Sequence, residues 1–352
     1  MRKMVRLALS LVLSSLAVPA AETSEKFYWQ VLEVKARTDE QLRFLHSLQK
    51  LSSIQEADFW EMPGVVNGSA HVMVSPTSKV PQLLQLAKLD YVILIKDLER
   101  LLKENEAKER RLRSVSLHGR RLRDEEADDA FLPFGQYHDY SSVTKSLRRI
   151  AQSSHFAEVV DIGASAEGRR ILGLKIGNDD GQKDVMIFDA GIHAREWATI
   201  HTALYFIYML VSSAADPRSI AYREGMVIYV FPIMNPDGYE YTRLNQTDPT
   251  KRMWRKNRGR ESCQNGRCCK GVDLNRNFDF QFGEIGASRY ACSEIYNGPT
   301  AFSEPETIAL RDFFMFLGSR VRAYITLHAY SQLWIYSYSH RKTTYPKNIA
   351  DV

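Results

Sequence analysis

The sequence has no run of about 18 uninterrupted apolar residues, so no segment reads as a membrane-spanning helix. It has no strong charge of either sign: the formal net charge is +5 over 352 residues. The densest arginine runs are not interleaved with aromatic residues, so the chain lacks the basic, aromatic-studded face that marks a nucleic-acid binder. Cysteine is scarce. There are four, at 263, 268, 269 and 292, without the paired C-x-x-C pattern of a cysteine-held zinc site. The rest is ordinary for a globular protein, with 25% charged and 44% hydrophobic residues, and the length allows more than one folding unit.

The first twenty residues have the makeup of a secretory signal. Arg2, Lys3 and Arg6 precede an apolar core from Leu7 to Ala17, too short to cross a bilayer, and Val18-Pro19-Ala20 offers small residues for cleavage. The mature chain is expected to begin near Ala21, and the location is expected to be extracellular. An even cysteine count in a secreted chain points to disulfides. Cys263, Cys268, Cys269 and Cys292 allow three connectivities. Asn67-Gly68-Ser69 and Asn245-Gln246-Thr247 are glycosylation acceptor motifs that gain weight from secretion.

Residues 22–103 read as a small domain. Phe27 to Val34 is strand-like, Thr38 is positioned to cap a helix carrying Leu42, Leu45, Leu48 and Leu51, and short strands follow near Phe59-Trp60 and His71–Val74. A second helix over Gln82–Leu89 and a last strand at Tyr91–Ile95 complete the order β-α-β-β-α-β, the ferredoxin-like motif. A charged connecting segment, 104–129, comes next. The spacing predicts a helix from Leu98 to about Arg113, and Arg-Arg-Leu-Arg occurs at 110–113 and again at 120–123. Such a run is either a solvated face or, between two domains, an accessible target for a basic-specific protease, with cleavage after Arg113 or Arg123.

From 130 onward, strands and helices alternate in the manner of an α/β domain with a mixed sheet: strands near 157–163, 171–176, 184–190, 226–233 and 321–328, and helices from Tyr140, from Glu196 and after Ser303. Ser303-Glu304-Pro305-Glu306 fits a capping box. The apolar strand Val185–Ile192 ends at glycine and then His193, with Glu196 three residues on at the start of a helix. The carboxyl end of a strand is where open α/β sheets place their sites. The H-x-x-E spacing is weak by itself, but His328 ends another apolar strand. Two imidazoles and a carboxylate on neighbouring strand ends make a three-ligand site with an open fourth position, the pattern of catalytic zinc.

Five stretches in order now carry a resemblance: His193-Ala194-Arg195-Glu196-Trp197, Asn235-Pro236-Asp237-Gly238-Tyr239, Trp254-Arg255-Lys256, Gly271-Val272-Asp273-Leu274-Asn275-Arg276-Asn277 and His328-Ala329-Tyr330-Ser331-Gln332. Together the chain resembles the zinc metallocarboxypeptidases of the carboxypeptidase A/B type, from about residue 22 onward. The resemblance implies a mixed-sheet α/β catalytic domain over 130–352 preceded by a ferredoxin-like activation propeptide, rather than an independent binding module. It implies one Zn2+ held by His193, Glu196 and His328, with Asp273 fixing the tautomer of the first histidine. Arg255 would stabilise the oxyanion, Asn275 and Arg276 would take the substrate's terminal carboxylate, and Arg195, Ala329 and Tyr330 would line the subsites. It also implies a Cys269–Cys292 disulfide, which leaves Cys263 to pair with Cys268 around a small loop. The partners expected are peptide and protein carboxyl termini and an activating basic-specific protease, with the enzyme a monomer and no nucleic acid or membrane bound.

The family's catalytic glutamate, its substrate-covering tyrosine and the residue setting side-chain preference have no counterparts here: no glutamate follows His328, and Tyr336, Tyr338 and Tyr345 lie too close to it. The expectation is a chain incomplete at its carboxyl end, with little turnover as written and part of its core uncovered. Two classes of function stay open, a secreted pro-metallocarboxypeptidase and a truncated, non-catalytic zinc- or peptide-binding protein.

Overall fold

The computed structural model describes residues 28–121, 130–212, 216–338, 340–341 and 343–351. The signal segment and Arg123 lie outside the described residues.

The amino-terminal unit runs β1 (Gln30–Lys35), α1 (Asp39–Leu51), β2 (Ala57–Glu61), β3 (Ser69–Val74), α2 (Val80–Leu86) and β4 (Tyr91–Ile95). Its sheet has the order β2-β3-β1-β4 with every pair antiparallel. Thr38 caps α1 by accepting from the Gln41 amide at 3.2 Å, satisfying one of the helix's orphan donors. Leu42, Leu45 and Leu48 pack with Val34, Phe59 and Val72 in one core, each worth about 2 kcal/mol of burial. Leu51, the last of that leucine series, is exposed.

Helix α3 spans Leu98–Arg121, so the chain does not leave the helix near Arg113 as its serines and glycine suggest. Ion pairs one turn apart, Arg100–Glu104, Glu106–Arg110 and Glu109–Arg113, support the helix. No proline interrupts it, and a lone glycine costs a helix only about 1 kcal/mol.

The second sheet has the order β11-β7-β8-β6-β5. Its strands are β5 (Ala157–Ala164), β6 (Arg170–Ile176), β7 (Val185–Asp189), β8 (Val227–Phe231) and β11 (Val321–Thr326); β9 (Glu261–Gln264) and β10 (Arg267–Lys270) form a separate hairpin. β7, β8 and β11 are mutually parallel, while β5, β6 and β8 pair antiparallel, giving the mixed sheet. Helices α4 (Tyr140–Ser153) and α5 (Trp197–Ser212) cover one face, and α9 (Pro305–Leu317) covers the other; α6 (Pro217–Gly225), α7 (Pro236–Arg243) and the short α8 (Pro249–Arg252) fill the connections. β8 is buried throughout. Ile228 and Val230 belong to the core with α4 and α5, and Val227, Tyr229 and Phe231 to the core with α9, which is why this strand reads as a continuous apolar run. β11 is one edge strand, and Leu333, Trp334 and Ile335 after it, with Met315 and Phe316 of α9, are exposed.

The opening of α9 departs from a capping box. Glu304 is the N-cap residue and makes no side-chain cap. Ser303 and Glu306 are drawn inward instead. Ser303 Oγ accepts from Asn277 at 2.9 Å and donates to Glu304 at 2.8 Å, and Glu306 accepts from the Ala166 amide at 3.1 Å and from Asn257 at 3.0 Å. Tertiary partners outbid the local cap. The cysteines pair as Cys263–Cys268, across the β9–β10 hairpin, and Cys269–Cys292.

Candidate metal centre

β7 and β11 are adjacent and parallel, with Asp189 registered against Thr326. Their carboxyl ends therefore lie side by side, and His193 and His328 follow a few residues beyond. The turn from β7 into α5 is held by Gly191, whose φ is +63° and where a Cβ would stand 2.8 Å from the Ile200 side chain, so only glycine fits. The Glu196 amide donates to the His193 carbonyl at 3.2 Å, and this tight turn brings both side chains to one side of the helix start.

Three donor atoms converge there. His193 Nδ1 lies 2.7 Å from Glu196 Oε1, His328 Nδ1 lies 3.1 Å from Glu196 Oε2, and the two Nδ1 atoms lie 3.1 Å apart. The far nitrogens are each engaged: His193 Nε2 faces Asp273 Oδ1 at 3.2 Å, and His328 Nε2 faces Thr326 Oγ1 at 3.3 Å. An imidazole whose proton sits on Nε2 presents a bare lone pair at Nδ1. Two such lone pairs and a carboxylate face one another without a proton to share among them, and a cation is what makes that arrangement favourable. The donor set of two imidazoles and one carboxylate fits zinc.

The electrostatics agree. Burial, reinforced by the nearby Arg255, lowers the His193 pKa and keeps the ring neutral. Burial opposes ionisation of Glu196, and His193 and His328 hold the carboxyl well below its ordinary range only by turning protons toward it; with those protons on Nε2, a cation takes over that part. Burial likewise opposes ionisation of Asp273, and Arg255, then His193, hold it far below its usual value. Asp273 is fully buried. It receives Arg255 through Nε at 3.0 Å and a terminal nitrogen at 2.9 Å, and the Asn275 amide at 3.0 Å. Arg276 donates from Nε to the Gly286 carbonyl at 2.7 Å and from Nη1 to the Asn275 carbonyl at 3.0 Å. Its pKa is lowered by burial, offset in part by Asp273. One carboxylate thus orders the first imidazole and anchors the arginine beside it.

The amino-terminal unit reaches this cleft. Arg195 donates to Asp58 of β2 and to the Met253 carbonyl at 3.2 Å. Tyr330 Oη lies 2.6 Å from His71 Nδ1 of β3, with the rings stacked at 5.9 Å. Val31, Ile54, Met73, Leu98 and Leu102 share a core with Ala194 and Trp254. The Ala329 amide donates to Glu196 at 3.1 Å.

A model of the zinc carboxypeptidase family matches residues 143–352, and one of the carboxypeptidase activation peptide matches residues 32–105. The chain belongs to the zinc carboxypeptidase family. Mouse carboxypeptidase A2 is 35% identical over 316 residues, covering 89% of this chain and 70% of the relative. Carboxypeptidase B of Astacus astacus is 40% identical over 201 residues, covering 57% and 63%. Among solved structures, carboxypeptidase A from Helicoverpa armigera superposes with a TM-score of 0.76 at 27% identity, covering 93% of this chain and 76% of that one. This zinc carboxypeptidase is accordingly a peptide hydrolase of the exopeptidase class made with an activation peptide, and one catalytic Zn2+ goes with it.

Of the expected site residues, His193, Glu196 and His328 converge, Asp273, Arg255 and the Ala329 amide bond to them or to their support, Asn275 and Arg276 follow Asp273, and Arg195 and Tyr330 face the amino-terminal unit, while the cysteines brace the β9–β10 region. Arg113 sits inside α3, and its guanidinium donates to the Tyr137 carbonyl at 2.8 Å. Sequence reasoning passed over Asp58, Asp189 and Glu294. Asp58 interrupts the otherwise apolar start of β2, and Asp189 ends the apolar β7; an acid placed in or at the end of a buried strand is the signal that could have marked either. Glu294 has no such signal. It is buried, and burial, offset by Lys256, raises it to about 7.

Proposed function

We propose that the chain is a secreted zymogen whose mature domain removes the last residue of peptides at a zinc held by His193, Glu196 and His328. The observation that carries this is the convergence of His193 Nδ1, His328 Nδ1 and Glu196 within 4.8 Å of one another, with both distal nitrogens tied to Asp273 and Thr326. Bound there, zinc supplies Lewis acidity toward a peptide carbonyl and a water. The chain's own residues do the rest. Asp273 holds His193 in the ligating tautomer. Arg255, fixed by Asp273, places a permanent cation where oxyanion charge develops. Arg276, with Asn275, receives the terminal carboxylate, for which a planar guanidinium is suited. Arg195, Ala329 and Tyr330 line the approach, and Asp58 and His71 occupy two of those positions until the activation peptide leaves.

Release is assigned to a basic-specific protease. Of the two candidate bonds, the one after Arg113 lies within α3, and a protease needs extended backbone, so cleavage there requires the helix to open first.

The carboxylates bonded within the centre are Glu196, itself a donor, and Asp273, engaged with His193 and Arg255. Neither is placed to take a proton from an attacking water. On that ground the 352-residue polypeptide is expected to bind zinc and turn over slowly. The test is mass spectrometry of peptide substrates after protease activation, with and without a chelator. Slow, chelator-sensitive loss of single carboxyl-terminal residues supports the reading. Zinc binding with no trimming at all would make the chain a non-catalytic zinc protein instead.

A further inference from the structure

We propose that Asp189 and Thr326 form a hydroxyl-bridged relay that sets the tautomer and orientation of His328, making both positioning residues for the metal. The proposal rests on the zinc reading of this centre.

Asp189 ends β7 and is fully buried. Burial raises its pKa, and two donors pull back toward the ionised form: Tyr324 Oη bonds Oδ2, and Thr326 Oγ1 donates to Oδ1 at 2.7 Å. The backbone locks the register, since Asp189 stands opposite Thr326 and the Leu327 amide donates to the Asp189 carbonyl at 2.9 Å. Thr326 Oγ1 also lies 3.3 Å from His328 Nε2.

A hydroxyl has one proton to give. Thr326 gives it to the carboxylate, so the face of Oγ1 toward His328 is a lone pair, and Nε2 must carry the proton. Nδ1 is then bare and aimed at His193 and Glu196. Asp273 does the same for His193 without an intermediary. The two imidazoles are supported by different devices: a buried acid directly, and a buried acid acting through a hydroxyl. The difference follows the burial, for His193 is enclosed and His328, beyond the end of β11, keeps a side-chain exposure of 30%.

The experiment compares Thr326→Val, Thr326→Ser and Asp189→Asn in the full chain. It measures zinc affinity by chelator competition and the His328 tautomer by nitrogen NMR of the metal-free protein, with His193→Ala as reference and thermal unfolding to confirm folding. Valine keeps the shape of threonine and lacks the hydroxyl, so Thr326→Val is expected to weaken zinc about 10- to 100-fold and to admit the other tautomer at His328. Thr326→Ser should stay within about 3-fold of the parent, since it keeps the bridging oxygen. Parental zinc affinity and an unchanged tautomer in folded Thr326→Val would overturn the relay. If His193→Ala also bound zinc like the parent, the zinc reading itself would fall, which is a separate outcome.

Discussion

Asp58 of the activation peptide and Arg195, which follows His193 by two residues, form a buried ion pair across the joint between the two units. The Arg195 side chain is 8% exposed and that of Asp58 fully buried, and Trp60 donates to the same Asp58 oxygen at 3.0 Å. The other Asp58 oxygen is buried without a partner among the described residues. The acid thus reaches a guanidinium of the cleft, where a substrate's own carboxylate and carbonyls would compete for arginine.

Removing the charge of Asp58 should loosen the activation peptide. In Asp58→Asn the amide oxygen can still accept from Arg195, but the buried guanidinium loses its opposite charge, and leaving one charge of a buried pair unmatched costs about 3–5 kcal/mol. After limited cleavage of the connecting segment, the peptide should co-elute with the parental enzyme in size-exclusion chromatography and separate from the variant. Equal retention in both would show that the apolar contacts around Met73 and Trp254 hold the units together alone.

Asp273→Asn should damage the centre in two ways. The amide cannot serve both His193 Nε2 and the Arg255 guanidinium as the carboxylate does. Zinc affinity is expected to fall about 10- to 100-fold, the usual penalty for losing a ligand's support. Competition against a chromogenic chelator measures it, and parental affinity would contradict the role given to Asp273.

Glu306 gives a pH dependence. Burial raises this carboxyl from 4.5 to about 7, while the Ala166 amide and Asn257 pull the other way. A raised acid binds its proton more tightly in the folded state. Its contribution to stability is therefore complete below its ordinary value and declines as pH rises toward 7. Between those limits the parental protein should lose about 3 kcal/mol relative to Glu306→Gln, whose side chain does not titrate. Denaturant midpoints of both proteins at several pH values check this. A difference independent of pH would mean that Glu306 is ionised throughout.

The two disulfides should differ in weight. Cys269–Cys292 closes a span of 23 residues and Cys263–Cys268 one of 5. On the chain-entropy argument, replacing the longer pair by serine costs about 3 kcal/mol and the shorter pair about 2. Thermal unfolding of the two double variants orders them, and a larger loss for the hairpin pair would contradict that argument.

Much of this was legible in the residues. β4 begins and ends at Tyr91 and Ile95 as read, because an apolar β-branched run bounded by polar residues has few alternatives. Thr38 caps α1 because its cap is local. The cap at Ser303 was misread because Asn277 and Asn257, distant in sequence, claim the same side chains. The end of α3 was misread because a serine-glycine stretch weakens a helix without stopping it. At the centre, strand ends and the H-x-x-E spacing pointed to His193, Glu196 and His328. Asp58 and Asp189 stayed hidden because their partners, Arg195 and Thr326, meet them only once the units dock and the sheet pairs.

The most direct test of the account is the zinc content of the purified chain after dialysis against metal-free buffer, set beside His193→Ala, Glu196→Ala and His328→Ala. The account predicts about one zinc per parental chain and its loss in each variant, as expected of a three-residue protein ligand set. Zinc retained at parental affinity by any folded member of the three would contradict it.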